Sequence, residues 1–162
     1  MYAEENMEIV IVCFGTSEVT GDSLAPMVGT ALKEKYDIKT FVYGDLNDEI
    51  NAKKINSTLG MIRSVHQGSI VIAVDACVGK SEDVGKIVIK EGVRPKAALD
   101  NTAESYGDIG ILGIVAPRDG DTLTNLLSAD FNLVCDMSER IAKAIYTSFI
   151  FAQKRAFAKE CE

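Results

Sequence analysis

The sequence predicts an α/β protein: a mixed sheet with a parallel core in 2-1-3 strand order. Three observations carry that expectation. Apolar runs rich in β-branched residues recur at Glu8–Phe14, Ile38–Tyr43 and Ile70–Val74, the pattern of strands buried on both faces of a parallel sheet. Stretches with helical apolar spacing separate them, so the order is β-α-β-α-β, and right-handed crossovers make the three strands parallel. Gly-containing turns stand where strands end, as strand-to-helix loops require.

Taken in order, EIVIVCF at Glu8–Phe14 opens the sheet. A Gly/Ser/Thr turn follows, and Asp22–Tyr36 places Leu24, Met27, Val28, Ala31 and Leu32 on one helical face. Ala52–His66 repeats the pattern with Ile55, Leu59, Ile62 and Val65, weakened by Gly60. After the third strand, Gly85–Glu91 alternates polar and apolar residues, the mark of a half-exposed strand. It follows too closely for a crossover helix and is expected antiparallel or at an edge. Ile109–Val115 is a further strand, thinned or bulged at Gly110 and Gly113. Arg94–Tyr106 reads as a long loop, Leu123–Leu127 as a short turn, and Asp130–Lys159 as one long helix.

The 162 residues suit one domain spanning 1–162, ending in that helix from about residue 130. Apolar residues make up 47% and charged residues 25% of the chain, an ordinary globular composition. Seventeen Lys and Arg against 24 Asp and Glu give a formal net charge of −7. An acidic surface repels phosphate backbones, so nucleic acid is not an expected partner. No apolar stretch reaches a membrane span, and the acidic start Met1-Tyr2-Ala3-Glu4-Glu5 does not read as a signal peptide. Cys13, Cys77, Cys135 and Cys161 show no metal or CxxC spacing and are expected to be structural thiols in a reducing cytoplasm.

The candidate chemistry lies in two aspartates. Asp22 stands in Gly21-Asp22-Ser23 after the first strand, and Asp75 follows Ile70–Val74 directly. Loops leaving the carboxyl ends of parallel strands converge on one crevice. In 2-1-3 order the first and third strands are neighbours about 5 Å apart, so the two carboxylates are expected to approach each other. Such a pair either shares a proton or binds a divalent cation, and either state activates water at a carbonyl carbon. Plainer readings stand beside this one: Asp22 as a helix N-cap, Asp75 as a turn cap. Asp45, in Tyr43-Gly44-Asp45, also falls at a strand's carboxyl end but reads best as a solvated loop acid.

His66, the lone histidine, precedes the third strand and is expected at a helix C-terminus against the dipole. It lies at the wrong end of the sheet to partner Asp75, which argues against Ser/His/Asp or Cys/His catalysis. Cys77 is close to Asp75, but a negative neighbour makes a poor thiolate nucleophile. Neither Gly15-Thr16-Ser17 nor Gly79-Lys80-Ser81 has the spacing of a phosphate-binding loop.

Several segments also resemble a known family. They are Cys13-Phe14-Gly15-Thr16, Thr20–Gly29 (TGDSLAPMVG), Val42-Tyr43-Gly44, Ala52, Val71–Gly79 (VIAVDACVG), Val84-Gly85, Gly107-Asp108-Ile109 and Gly113-Ile114-Val115. In this order, over roughly residues 9 to 145, they resemble the YyaC-type spore proteins. Those are similar to the germination protease of spore-forming bacteria and, more distantly, to hydrogenase maturation endopeptidases.

The resemblance implies a three-layer sandwich of phosphorylase/hydrolase type. It also implies a peptidase or hydrolase that cleaves an amide bond of a peptide or protein in the cytoplasm of a sporulating cell, forespore or mother cell. Acids matching Asp22 and Asp75 are the proposed catalytic pair of the germination protease. In the maturation enzymes matching acids help a histidine hold the substrate's nickel. Here Asn51 stands where relatives often carry histidine, which weakens a metal role more than a carboxylate-pair role. No cofactor is expected, the alternative being a divalent metal on Asp22 and Asp75. Asp108 is a family-like acid, or else a turn residue before the last strand. The alternative function is a non-catalytic sporulation-related binding protein that keeps the protease-like fold. Tyr146, Phe149, Phe151 and Phe157 spread over more than one face of the last helix, and a homodimer through it is an expectation.

Overall fold

Every residue of Val10–Cys13 is fully buried, and a strand apolar on both faces must be covered on both. In the computed structural model, which describes residues 7–95 and 105–160, this segment is β1 (Ile9–Cys13), the second strand of five. β2 (Phe41–Tyr43) and β3 (Ile70–Gly79) flank it, both parallel. β4 (Ile87–Lys90) and β5 (Ile109–Pro117) complete the sheet, β5 parallel to β3 and β4 antiparallel at the edge. The order is β2-β1-β3-β5-β4, so the 2-1-3 parallel core and the antiparallel outer strand stand as the sequence implies.

Alternation along β1 sorts the two faces. Ile11 and Cys13 join Leu24, Val28, Val74, Val115, Met137 and Ile141 under α1 (Leu24–Thr30) and α4 (Phe131–Glu160). Val10, Val12 and Phe14 join Ile55, Ile62 and Tyr106 on the opposite face, beneath α2 (Ile55–Val65). The result is a helix–sheet–helix sandwich. Gly113 makes the first layer fit: a Cβ there would lie 2.3 Å from Leu24 Cδ2, so the thinness of β5 is where α1 seats. The irregularity expected in β5 does fall there: consecutive Cys77 and Val78 of β3 pair with Ile114 and Ala116, so Val115 of β5 is the extra residue.

Three boundaries differ from the sequence reading. The first helix is not continuous from Asp22 to Tyr36: Gly21–Ser23 form a 3-10 turn and Ala31–Lys35 a π-turn, flanking α1. Asp37 then takes a left-handed φ of 46°, and the Ile38 N–H bonds the Leu32 carbonyl at 3.0 Å, closing the helix end. β2 is shorter than Ile38–Tyr43. β3 is longer than Ile70–Val74, because β5 pairs with it as far as Gly79.

At the far end, the short helix α3 (Thr122–Leu127) is capped by Asp121, which accepts from the Thr124 N–H. Asp130 likewise accepts from the Asn132 N–H at 2.8 Å at the start of α4. On α4, Phe149 is buried and Tyr146 stacks on Tyr36, while Phe151 is exposed. Cys161 and most of the loop between Arg94 and Tyr106 lie outside the residues described, as does the side chain of Phe157. No helix among the described residues is long and apolar enough to cross a membrane.

Candidate active site

β1 separates the two crossovers. The α1 connection leaves toward β2 over one face, and the α2 connection returns past β1 to β3 over the other, so strand order reverses between β1 and β3. At such a switch point the loops after the two strands diverge and leave a crevice at their carboxyl ends. A cleft of about 130 Å³ opens there, and both Asp22 and Asp75 line it. Phe14-Gly15-Thr16, Ile50-Asn51-Ala52 and Ala76 complete most of its wall.

Asp75 does not end its strand as the sequence implied. It lies within β3, paired with Leu112 of β5, one residue past the last β1 partner, Val74. What ends there is β1, so the carboxylate stands where β3 loses its neighbour. By alternation it shares the α2 face with Val71 and Ala73, and its Oδ1 accepts the Ala76 N–H at 2.8 Å. Asp22 is half-buried within the 3-10 turn, where Thr20 and Ser23, not Asp22, hold the cap positions. Its carbonyl accepts the Thr16 N–H at 3.2 Å. Gly15 permits this return of the chain: at φ 150°, a Cβ would stand 2.0 Å from the Asp22 carbonyl oxygen.

The opposite wall is the loop after β2. Phe14 bridges Ile50, and the Gly15 N–H bonds the Ile50 carbonyl at 3.2 Å. Asn51 is in the cleft, with Oδ1 accepting the Lys53 N–H at 3.1 Å. Two residues upstream, Glu49 Oε1 accepts the Ser17 N–H at 2.7 Å. Partial burial pushes the Glu49 carboxyl up, but hydrogen bonds from Ser17 and Thr16 outweigh it and hold the group below its usual range. Sequence reasoning passed over Glu49 as one acid among several in a loop. Nothing local marks it, because its partners are 32 residues away.

The remaining candidates are elsewhere. Asp45 is not a solvated loop acid: it is buried, ion-paired with Lys33, and accepts the N–H groups of Asn47 at 2.7 Å and Asp48 at 2.9 Å. Burial raises its pKa, but the Lys33 pair and the two N–H groups lower it further, and the net shift is downward. His66 does follow the last turn of α2, but the dipole is not its main partner. It is buried, with Nε2 2.7 Å from the Tyr43 hydroxyl and Nδ1 2.7 Å from Glu8 Oε2.

Asp108 lies at the amino end of the sheet, where Oδ2 accepts the Val71 N–H at 2.7 Å. It does not approach the cleft, because parallel β3 and β5 carry it to the end opposite Asp75. Cys77 shares Asp75's face of β3 but is not part of the cleft wall. Burial pushes the Cys13 thiol up to about 12, as a structural thiol requires. No group of three or more His, Cys, Asp or Glu positioned to hold a metal ion occurs among the described residues.

The α/β sandwich itself is a fold shared with a hydrogenase maturation protease. The structure superposes on HycI, a [NiFe] hydrogenase maturation protease from Thermococcus kodakarensis KOD1, with a TM-score of 0.56 and 21% identity, covering 89% of this chain and 93% of that one. Sequence defines the kinship more narrowly. Residues 1–144 match the family described as "Protein of unknown function (DUF1256)", and the chain belongs to that family. It is 36% identical over 138 residues to "Uncharacterized protein YyaC" of Bacillus subtilis (strain 168), spanning 85% of this chain and 67% of that protein.

Proposed function

We propose that this protein is a peptidase that hydrolyses an amide bond with Asp22 and Asp75 as its acid–base pair. One observation carries the reading: two carboxylates from separate strand ends line one cleft at the switch point, on a fold shared with a protease. The hydrogen bond from the Ala76 N–H at 2.8 Å favours a carboxylate at Asp75. Asp75 therefore takes the proton from water as its oxygen bonds the carbonyl carbon. Asp22, protonated, gives its proton to the amide nitrogen as the C–N bond breaks. The Asn51 Oδ1 is held by Lys53 N–H, which turns Nδ2 outward as a donor to the substrate carbonyl. No step in this reading runs through a metal.

The substrate is a peptide or protein, and the setting is the cytoplasm of a sporulating bacterium, forespore or mother cell. The resemblance to the germination protease supports both. The test is incubation with small acid-soluble spore protein peptides, with and without divalent cations, with cleavage read by mass. Asp22→Asn and Asp75→Asn each lower the rate by roughly 10²- to 10⁴-fold while leaving the urea midpoint in place. Full activity in either variant sinks the proposal. Peptide binding by the wild type with no cleavage replaces it with a binding role.

A further inference from the structure

We infer that Glu49 is a positioning residue for the cleft: its carboxylate locks the loop that presents Asp22 against the loop that presents Asn51. The inference rests on the peptidase reading only for what the lock serves, since the contacts themselves are structural.

The chain of contacts is continuous. Glu49 Oε1 accepts the Ser17 N–H at 2.7 Å, and the neighbouring Ser17 and Thr16 side chains favour the charged form of the same carboxylate. Thr16, so held, gives its own N–H to the Asp22 carbonyl at 3.2 Å. Two residues from Glu49, Asn51 lines the cleft opposite Asp22. One side chain thus reaches both walls, alongside the Phe14–Ile50 bridge and the Gly15–Ile50 hydrogen bond. Those two fix the root of the loop at the end of β1. Neither restrains Thr16 and Ser17, from which the chain turns back to Asp22.

The acceptor must also be an acid. The Ser17 N–H and the Ser17 and Thr16 side chains face one group, and a carboxylate with two oxygens and about four lone-pair sites can serve several donors, whereas an amide offers a single oxygen. Burial opposes the charge, and the Ser17–Thr16 groups, with a smaller contribution from Lys54, outweigh it. Glu49 touches no cleft space itself, being absent from the lining. Its effect on the reaction passes through Thr16 to Asp22.

The test compares Glu49→Ala and Glu49→Gln with the wild type by NMR at pH 7, following amide exchange at Thr16 and Ser17 and the side-chain carboxyl ¹³C shift of Asp22. In Glu49→Ala, exchange at both amides accelerates at least tenfold and the Asp22 signal moves. In Glu49→Gln, which keeps one acceptor oxygen, both effects are partial. Amides of β1 and α4 stay protected in both, which separates a local lock from general loss of structure.

Unchanged Thr16 exchange and an unmoved Asp22 signal in Glu49→Ala overturn the inference. If Glu49→Ala does not fold, the same two readings in Glu49→Gln decide it. The readout needs no turnover. A displaced Asp22 with no peptide cleaved by the wild type ends the peptidase reading and leaves the lock standing. Cleavage by a wild type whose Asp22 is indifferent to Glu49 does the reverse.

Discussion

Replacing Asp45 tests whether the β2 carboxyl end is held by an ion pair or by backbone hydrogen bonds. Asp45 is 6% exposed, and its carboxylate does two jobs: it pairs with Lys33 and accepts two N–H groups at 2.7 and 2.9 Å. Breaking a buried pair costs about 3–5 kcal/mol when the abandoned charge stays dry. The Lys33 side chain is 42% exposed, so its ammonium rehydrates and that full cost does not apply. The N–H bonds, each worth about 1.5 kcal/mol to a charged acceptor, then dominate. Asp45→Ala loses both and the pair, for a total of about 4 kcal/mol. Asp45→Asn keeps Oδ1 for the two N–H groups and loses only the pair, about 1 kcal/mol.

Urea unfolding at pH 7, read as a shift in midpoint at constant slope, measures both values. The pH dependence follows from the direction of the shift. The folded carboxyl sits below the ordinary aspartate range, so its stabilisation is complete above about pH 5 and is lost as pH falls through the depressed folded value. The gap between wild type and Asp45→Ala therefore narrows below pH 3.8. Equal costs for the Ala and Asn variants, or a gap that persists in acid, refute the reasoning.

Two further outcomes follow from the geometry. Gly15→Ala destabilises by about 2 kcal/mol, because the new Cβ meets a main-chain oxygen, that of Asp22, which no rotamer change can move aside; a urea midpoint unchanged from wild type contradicts this. Cys13 is fully buried with its thiol raised to about 12. In native protein at pH 8 it therefore resists a disulfide exchange reagent that modifies the half-exposed Cys135, and it reacts only in denaturant; prompt native labelling at Cys13, located by mass, is the contrary result.

Much of the architecture was legible because burial writes itself into composition. A strand covered on both faces has to be apolar throughout, and EIVIVCF and IVIAV are. The edge strand β4 was legible from its place after β3 and its flanking lysines, not from alternation, since Ile87, Val88 and Ile89 are consecutive apolar residues and the last two are exposed. Helix ends were less legible. The π-turn at Ala31–Lys35 and the left-handed Asp37 depend on how α1 meets β2, and nothing in KEKYD announces them. The acids divide the same way. Asp22 and Asp75 were visible because strand ends in a parallel sheet face the crevice. Asp45 and Asp108 have the same local grammar, yet one is buried against Lys33 and the other pairs with Val71 at the opposite end.

The sequence by itself determined the parallel core, the strand order expected of it and the two aspartates at its carboxyl ends. These follow from periodicity and residue type, which are local. Only the tertiary structure decided that Asp75 sits within a strand beside the end of β1, that His66 lies buried between Tyr43 and Glu8, and that Glu49 holds Thr16 and Ser17. Those are meetings between segments distant in the chain. The free energy of such a contact depends on where the fold has already put its two partners.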